Sequence, residues 1–335
     1  MSDPTDVHDL PTPSLLVERS IFDANVAAMA AARPGNQLRP HVKAFKSTAL
    51  AAELVAAGHT NFCAATVREI EGMADAEMGV DLLLANQSLD LRRLTRVVEK
   101  GSRVTVAIDS AETIAAAVAA RIPEVLVDVN VGMPRCGIAP DEAGALADAA
   151  RTAGLIVRGV MGYEGHLMMA SAEKKAAAVE ESMALLLRAA EDVGAEVVSA
   201  GGTGTYAANT WASEIQAGSY CLLDTDYAKL DSPFEIAIAV LATVISVNRD
   251  GYAVVDAGLK AFGLDHGNPA WPDGDVFFCS DEHTTLLDPD GSLRVGDRVR
   301  LQPAHLDPTV ARHETMWVVD GESIVDRWSI DLRHW

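Results

Sequence analysis

The sequence predicts an α/β protein in which a (β/α)8 TIM-like barrel is followed by a C-terminal all-β domain. Two observations predict this architecture. Short apolar segments alternate with alanine-rich helical patterns through the first two thirds of the 335 residues, and short strand patterns follow after about residue 227. Apolar runs of four to eight residues between helices are typical of parallel strands that are buried on both faces. A doubly wound parallel sheet is the alternative arrangement of these elements.

Eight strand-like segments support the barrel. Between most of them lie amphipathic stretches such as "STALAAELVAAGH" and "DEAGALADAARTAG". Eight strands that alternate with helices over roughly 200 residues favour a closed barrel, which we place at residues 20–228. The segments are "LRPHVKA", "NFCAAT", "VDLLLAN", "RVTVAID", "EVLVDVNVG", "IVRGVMGYEG", "EVVSAGG" and "IQAGSY".

The remaining residues, 1–19 and 229–335, predict the β domain. Its segments carry the turn dipeptides Asp250-Gly251, Asp290-Gly291 and Asp320-Gly321, which are typical of connections between antiparallel strands. The early segment "SLLVE", Ser14–Glu18, precedes the first helix and reads as a further strand. We expect it to pair with the strands of the β domain.

Composition excludes several classes of protein. The net charge of −21 disfavours binding to nucleic acid or to an anionic membrane. No apolar run reaches the ~20 residues of a membrane span, and the acidic, proline-broken N-terminus is unlike a signal peptide. The four cysteines lack metal-ligand or redox spacing, which favours a cytoplasmic protein.

Two glycine-rich segments predict a phosphate site. Functional groups of barrels gather at the C-terminal ends of the strands, and phosphate sites favour the loops after strands 7 and 8. The seventh segment runs into "SAGGTGT", Ser199 to Thr205, and the eighth runs through "QAGSY". Glycines with interleaved hydroxyl groups allow backbone amides to surround an anion.

A lysine ends the first predicted strand, in "RPHVKAFK". Lys43 would therefore lie at the same face of the barrel as the predicted phosphate site. A lysine beside a phosphate site is the arrangement needed for a Schiff base to pyridoxal phosphate. Spacing alone fits a second interpretation equally well, in which Lys43 and Lys46 are rim lysines that pair with acidic loops.

The chain resembles a known family nearly from end to end. "LRPHVKAFK" resembles the lysine motif of the alanine-racemase-like, fold-type-III pyridoxal phosphate enzymes, in the D-threonine aldolase and D-serine dehydratase branch. Nine other segments resemble segments of the family and follow the same order. So many matches in order identify the superfamily, but they identify the reaction less specifically. The nine segments are "TPSLLVE", "NFCAATVREIEGM", "VDVNVGMPRCGI", "GYEGHL", "SAGGTGT", "EIQAGSY", "VVDAGLKA", "DEHTTL" and "PAHLDPTV".

The resemblance implies roles for individual residues. Lys43 would carry pyridoxal 5'-phosphate, and Arg135 would keep the region of its phenolic oxygen or of the Schiff base electropositive. Tyr163 and His166 would face the cofactor, with His166 as a candidate proton carrier. The residues that would hold the phosphate are Gly202, Thr203, Gly218, Ser219 and Tyr220.

The resemblance also implies a metal site at His305 and Asp307. In an extended segment, residues two apart project their side chains to one face, which suits two ligands of one ion. At this position the dehydratase branch has the motif H-x-C and the aldolase branch has H-x-D. His305 and Asp307 resemble the aldolase motif, which indicates an aldolase. A carboxylate suits Mn²⁺ or Mg²⁺, while Zn²⁺ stays open.

The predicted activity is cleavage of D-β-hydroxy-α-amino acids, of the D-threonine, D-phenylserine or D-3-hydroxyaspartate type, to glycine and an aldehyde. A D-serine dehydratase-like ammonia-lyase or an amino-acid racemase is the alternative on the same fold. A non-catalytic pyridoxal phosphate carrier is a third hypothesis, against which the extra β domain argues. The resemblance further implies a homodimer.

Overall fold

The computed structural model describes residues 4–335. This part of the chain divides into two compact units, each built from separate stretches. The barrel unit contains residues 29–43, 51–218 and 332–335, and the β unit contains residues 4–28, 44–50 and 219–331. Among the described residues, no helix is both long enough and apolar enough to cross a bilayer.

Helices and strands alternate along the first two thirds of the chain, as predicted, and the last third consists mostly of strands. The helices are α1 (Arg19–Ala32), α2 (Thr48–Ala56), α3 (Val67–Asp75), α4 (Leu94–Glu99), α5 (Ala111–Ala119), α6 (Ala143–Thr152), α7 (Ala172–Val193) and α8 (Leu306–Arg312). The strands are β1 (Ser14–Glu18), β2 (Asn61–Ala64), β3 (Asp81–Leu84), β4 (Arg103–Ile108), β5 (Glu124–Asp128), β6 (Ile156–Met161), β7 (Val197–Ala200), β8 (Glu214–Ile215), β9 (Ile238–Asn248), β10 (Tyr252–Val255), β11 (Val276–Cys279), β12 (Thr284–Leu287), β13 (Arg298–Leu301), β14 (Thr315–Asp320) and β15 (Ser323–Ser329).

The barrel unit is built on a seven-stranded parallel sheet in the order β2-β3-β4-β5-β6-β7-β8. All four residues of β2 and of β3 are buried, as expected for parallel strands covered on both faces. One buried core cluster takes a residue from each of five neighbouring strands, and the predicted TIM-like architecture is confirmed. Its members are Cys63, Leu83, Ala107, Leu126 and Met161.

The first predicted strand, "LRPHVKA", is not a regular strand. Its residues form only isolated parallel bridges, from Leu38 to Ile215 of β8 and from His41 to Cys63 of β2. They therefore connect the two ends of the seven-stranded sheet. Pro40 has no amide hydrogen to donate to a ladder, and a 3-10 turn, Val42–Ala44, follows at once. Lys43 thus lies on this turn, where the prediction had a strand end.

A buried charge network lies among residues at the starts of the barrel strands. Arg39 is 1% exposed, and its guanidinium donates to Glu214 over 2.7 Å and to Asp81 over 3.2 Å. Arg158 forms an ion pair of 2.7 Å with Asp81. Asp81 and Glu214 begin β3 and β8, so this network belongs to the N-terminal end of the barrel. The C-terminal strand ends are left for the functional residues.

The β unit contains an eight-stranded mixed sheet. The early strand β1 pairs in parallel with β14 and antiparallel with β9, which confirms its predicted place in the β domain. The dipeptide Asp250-Gly251 joins the paired strands β9 and β10, and Asp320-Gly321 joins β14 and β15. Asp290-Gly291 connects two strands that do not pair with each other, because β12 pairs with β10 and β11 whereas β13 pairs with β9.

The compact units have different limits from the predicted domains. The sequence assigns residues 20–28 and 44–50 to the barrel and residues 332–335 to the β domain, but each belongs to the other unit. Residues 219–228, which the sequence also assigns to the barrel, belong to the β unit. Backbone hydrogen bonds explain this grouping: the amide of Ala237 donates to the carbonyl of Leu222 over 2.8 Å, and that of Thr225 donates to the carbonyl of Pro303 over 3.1 Å.

Candidate active site

The glycine-rich loop after β7 is organised by Glu164, a residue that sequence reasoning missed. Glu164 is completely buried, and its carboxylate accepts hydrogen bonds from the Gly201 amide at 3.1 Å, the Thr205 hydroxyl at 2.9 Å and the Asn209 side-chain amide at 2.9 Å. Gly201 has φ +79°, and a Cβ there would lie 2.9 Å from Ile215, so glycine is required. The predicted phosphate loop is therefore fixed from beneath by a carboxylate.

Thr203 in this loop has a hydroxyl group available to a ligand. Its Oγ1 is buried and has no hydrogen-bond partner among residues 4–335. A buried hydroxyl without a partner is unfavourable, so the site fits a bound group that accepts or donates there. The neighbouring amide, that of Gly202, donates instead to Thr205 Oγ1 over 3.2 Å.

Three predicted site residues meet at the C-terminal strand ends of the barrel unit. The guanidinium carbon of Arg135 lies 5.1 Å from the ring centroid of Tyr163, a cation–π distance. The Tyr163 ring also passes close to Gly202, where an added Cβ would lie 3.4 Å from its Cε2. The structure therefore brings Tyr163 to the predicted phosphate loop and Arg135 to the Tyr163 ring.

His166 lies in the 3-10 turn that follows β6, Gly165–Leu167, and is exposed. Its ring packs against Gly132, where an added Cβ would come within 2.9 Å of the imidazole Cε1. Gly132 has φ +120°, so an L-residue would be strained there in any case. This glycine gives His166 the space that its ring occupies.

Lys43 is half-buried in the barrel unit. It lies close enough to the Cys63 thiol to affect it: burial raises the pKa of Cys63, while the charges of Arg39 and Lys43 lower it. Cys63 belongs to the core cluster of the barrel strands. Lys43 therefore follows the residues that bridge β8 and β2, and it lies near the end of β2.

A second group that sequence reasoning missed is Asp128, the last residue of β5. Gln87 donates to its carboxylate over 2.6 Å. Burial raises the pKa of Asp128 to about 6; the hydrogen bond from Gln87 and the charge of Arg135 oppose this rise, and Asp109 adds to it. The region around Arg135 thus contains a carboxyl group that titrates close to neutral pH.

The other predicted phosphate residues lie where the chain passes from the barrel segment 51–218 to the segment 219–331. Gly218 is the last residue of the barrel segment, and Ser219 and Tyr220 begin the next segment as a 3-10 turn, Ser219–Cys221. The hydroxyl group of Tyr220 is buried and has no partner in the described part of the chain. Its ring packs against Phe234 at a centroid distance of 5.6 Å. The Tyr220 hydroxyl is therefore also available to a ligand.

The predicted metal residue His305 belongs to a cluster in the β unit. The ligand atoms of Asp265, His266 and His305 all lie within 4.8 Å of one another. His305 Nδ1 lies 2.7 Å from Asp265 Oδ2, and His266 Nδ1 lies 2.8 Å from Asp226 Oδ2. Imidazole and carboxylate donors fit Mn²⁺, Mg²⁺ and Zn²⁺ sites, so the residues present suit the metal that the sequence predicts.

Asp307 lies in a different local structure from the one predicted. His305 is extended, with φ −136° and ψ 117°, but α8 begins at Leu306 and Asp307 lies in its first turn. His305 and Asp307 therefore do not share one face of an extended segment, and the predicted geometry is wrong. The assignment of Asp307 as a metal ligand stays a prediction.

The backbone on either side of His305 is anchored. The buried carboxylate of Asp224 accepts the amide of Leu306 over 2.9 Å, and the Thr309 hydroxyl donates to the carbonyl of His305 over 2.7 Å. Burial raises the pKa of Asp224, opposed by its hydrogen bonds from the Tyr227 and Leu306 amides. These contacts fix where the His305 side chain leaves the main chain.

Two family models match the chain. The model of the alanine racemase N-terminal domain matches residues 17–225, and that of a serine dehydratase domain matches residues 237–319. The two matches follow one another along the sequence without overlap.

Individual proteins match over nearly the whole chain. The 3-hydroxy-D-aspartate aldolase of Paracoccus denitrificans (strain Pd 1222) is 32% identical, covering 98% of this chain and 93% of that protein. The D-threonine aldolase of Arthrobacter sp. is 32% identical, covering 96% of this chain and 92% of that protein. The crystal structure of D-threonine aldolase from Filomicrobium marinum matches with a TM-score of 0.91 and 31% identity, covering 98% of this chain and 97% of that one.

Proposed function

The chain belongs to the alanine racemase N-terminal domain family, in the D-threonine aldolase-like branch of fold-type-III enzymes, and we propose that it is a pyridoxal phosphate- and divalent-metal-dependent aldolase. It cleaves D-β-hydroxy-α-amino acids to glycine and an aldehyde, and is therefore a carbon–carbon lyase. The observation that carries this proposal is the likeness to two such aldolases over at least 96% of the chain.

The barrel unit would hold the cofactor. Lys43 would carry pyridoxal 5'-phosphate, which would supply an electron sink for cleavage of the Cα–Cβ bond. A proton added at Cα would then complete glycine. The hydroxyl groups of Thr203 and Tyr220, together with Gly202, Gly218 and Ser219, would hold the phosphate. The unpartnered hydroxyl of Thr203 supports the part of this assignment that lies in the barrel unit, because a phosphate oxygen would complete its hydrogen bonding.

The β unit would hold the metal. His305 and Asp307 would bind a divalent cation, Mn²⁺ or Mg²⁺, whose chemistry is to polarise the β-hydroxyl as a Lewis acid. The imidazole–carboxylate cluster around His305 supports the His305 part of this assignment. The Asp307 part rests on the family resemblance.

The remaining site residues orient the substrate and move protons. His166, exposed beside Gly132, would take the proton from the β-hydroxyl as the carbon–carbon bond breaks. Arg135 would keep the cofactor region electropositive, and Tyr163 would hold Arg135 by its ring face at 5.1 Å. The substrate would be a small D-amino acid, and the aldehyde depends on its side chain.

A second reaction has one observation in its favour. The serine dehydratase domain model matches residues 237–319, which contain His305 and Asp307. A dehydratase would remove the α-proton and expel the β-oxygen, so it would release ammonia and an oxo acid. The H-x-D pair favours the aldolase, because a carboxylate stands where the dehydratase motif has a thiolate.

We propose a cytoplasmic homodimer. All four cysteines are free thiols, as is usual in a reducing compartment. The dimer follows from the family resemblance of the two-unit architecture.

Product identification tests the proposed function. Purified holoenzyme would be incubated separately with D-threonine, D-phenylserine, D-3-hydroxyaspartate and D-serine. Glycine with an aldehyde is the expected outcome for one or more of the first three. Ammonia with an oxo acid, or the L-amino acid alone, would replace the aldolase by a dehydratase or a racemase.

A further inference from the structure

Two histidines of the β unit form a stacked pair. The rings of His266 and His305 lie 4.0 Å apart between centroids, with an interplanar angle of 4°. Each ring has a carboxylate at Nδ1: Asp265 for His305 at 2.7 Å and Asp226 for His266 at 2.8 Å. Asp265 Oδ2 also lies 3.9 Å from His266 Nε2. The arrangement is therefore two imidazole–carboxylate pairs, one on top of the other.

A carboxylate at Nδ1 decides which ring nitrogen can bind a cation. An ionised carboxylate only accepts hydrogen bonds, so the proton of a neutral imidazole stays on Nδ1. The lone pair is then left on Nε2, the usual arrangement of a histidine ligand with an outer carboxylate. In His305, Nε2 is therefore the nitrogen that remains for the metal.

The stacking makes it unfavourable for both rings to bind one ion. An imidazole lone pair lies in the plane of its ring, and two parallel planes with centroids 4.0 Å apart cannot both contain the same cation. His305 is the better ligand, because its side chain is 25% exposed and its backbone is anchored through Asp224 and Thr309. The His266 side chain is 41% exposed.

We propose that Asp265 and His266 are positioning residues for the metal ligand His305. Asp265 holds the Nδ1 proton and so presents Nε2 to the divalent cation, while His266 packs on the ring face and is itself held by Asp226. This inference rests on the proposed metal-dependent function, which assigns His305 as a ligand. It assigns a role to two residues that the H-x-D motif does not contain.

The tautomer of His305 can be measured directly. Holoenzyme with ¹⁵N-labelled histidine would be titrated with Zn²⁺, a diamagnetic probe, while ring ¹⁵N shifts are recorded by NMR. We expect His305 to carry its proton on Nδ1 before and after titration, and Zn²⁺ to shift only its Nε2. His266 should keep its Nδ1 proton and show no zinc-bound nitrogen.

Other results of the titration would overturn the inference in distinguishable ways. Zinc bound at Nδ1 of His305, or at either nitrogen of His266, would make the proposed positioning role wrong while a metal-dependent aldolase stands. No zinc-bound nitrogen in His305 would overturn both the positioning role and the metal site of the proposed function.

Variants test the same inference through metal affinity. Asp265→Asn keeps the shape of the side chain and removes its charge, so the Zn²⁺ dissociation constant should rise about 10- to 100-fold, as is typical of outer-shell partners. Asp273 is exposed, and Asp273→Asn is the control, which should leave the Zn²⁺ dissociation constant unchanged. An unchanged constant in Asp265→Asn, with the cofactor absorption intact, would overturn the inference.

A third substitution separates stacking from ligation. His266→Phe retains a ring that can stack on His305 but has no nitrogen donor. We expect its Zn²⁺ dissociation constant to stay within about threefold of the wild-type value, well below the change for an outer-shell partner. A loss as large as that of His305→Ala would instead make His266 a ligand.

Discussion

Glu164 accepts a hydrogen bond from the backbone amide of Gly201 over 3.1 Å, and this contact ties the end of β6 to the loop after β7. The same carboxylate accepts hydrogen bonds from the Thr205 hydroxyl and the Asn209 side-chain amide. A buried carboxylate with three donors defines the path of a loop that glycines alone would leave free to vary. The path of the predicted phosphate loop is therefore set by contacts within the protein.

Replacement of Glu164 should affect both folding and cofactor binding. Glu164→Ala leaves buried donors unsatisfied, so we expect the free energy of unfolding to fall by about 3 kcal/mol. The dissociation constant for pyridoxal phosphate should rise at least about tenfold, equivalent to 1.4 kcal/mol. Urea denaturation and cofactor titration measure these effects. Glu173→Ala, an exposed change in α7, is the control; equal effects in both variants would refute the role of Glu164.

Lys43 should be the residue that binds the cofactor covalently. The holoenzyme should show the visible absorption band of a Schiff base, and borohydride should remove the band and fix the label to a peptide. Mass spectrometry should place the label on Lys43, and Lys43→Ala should lose both colour and activity. Lys46→Ala is the matched control and should keep the band; a label on Lys46 would make our assignment wrong.

The carboxyl group of Asp128 should make stability depend on pH. Its pKa in the folded state, about 6, is above the ordinary value of 3.8, so the folded state binds this proton more tightly. Stability from this group is therefore present below about pH 4 and is lost as the pH rises through about 6. Asp128→Asn should match the wild type near pH 4 and exceed it by up to about 3 kcal/mol at pH 8.

Denaturation of Asp128→Asn and wild-type holoenzyme between pH 4 and pH 8 measures this difference. Asp141→Asn, an exposed change in the same unit, should show no such trend. A constant difference between Asp128→Asn and wild type across this range would contradict the raised pKa.

Several of these features could be predicted from the sequence, and the reasons are local. Leu82, Leu83 and Leu84 form a continuous, fully buried apolar run, which is typical of a strand covered on both faces. The segment "LRPHVKA" has a strand-like pattern, but Pro40 prevents a regular ladder, so only isolated bridges form. Local pattern also placed Asp307 on an extended segment, although α8 begins one residue before it.

Glu164 and Asp265 could not be found from the sequence, for a common reason. Each lies in a glycine-containing loop pattern, "YEGH" or "LDHG", that normally indicates a solvated turn. Their partners lie 37 to 45 residues away from Glu164 and 40 residues away from Asp265. Only the folded chain brings these groups together.

Removal of the metal should stop catalysis and leave the cofactor in place. Chelation should abolish carbon–carbon cleavage with the visible band intact, and Mn²⁺ or Mg²⁺ should restore it, because a Lewis acid contributes several kcal/mol to such a step. His305→Ala should behave like the chelated enzyme, whereas His8→Ala should be active.

Asp307→Cys should shift the metal preference toward Zn²⁺, since thiolate is the softer ligand. Undiminished cleavage by the chelated enzyme would refute the metal's role.

The most direct test of the proposed reaction follows the carbon–carbon bond itself. D-threonine labelled with ¹³C at Cβ would be incubated with the metal-loaded holoenzyme and observed by ¹³C NMR. We expect the label to appear in acetaldehyde, with unlabelled glycine formed in equal amount. A label that stays bonded to Cα, in 2-oxobutyrate or in an epimer of threonine, would contradict the assignment of this protein as an aldolase.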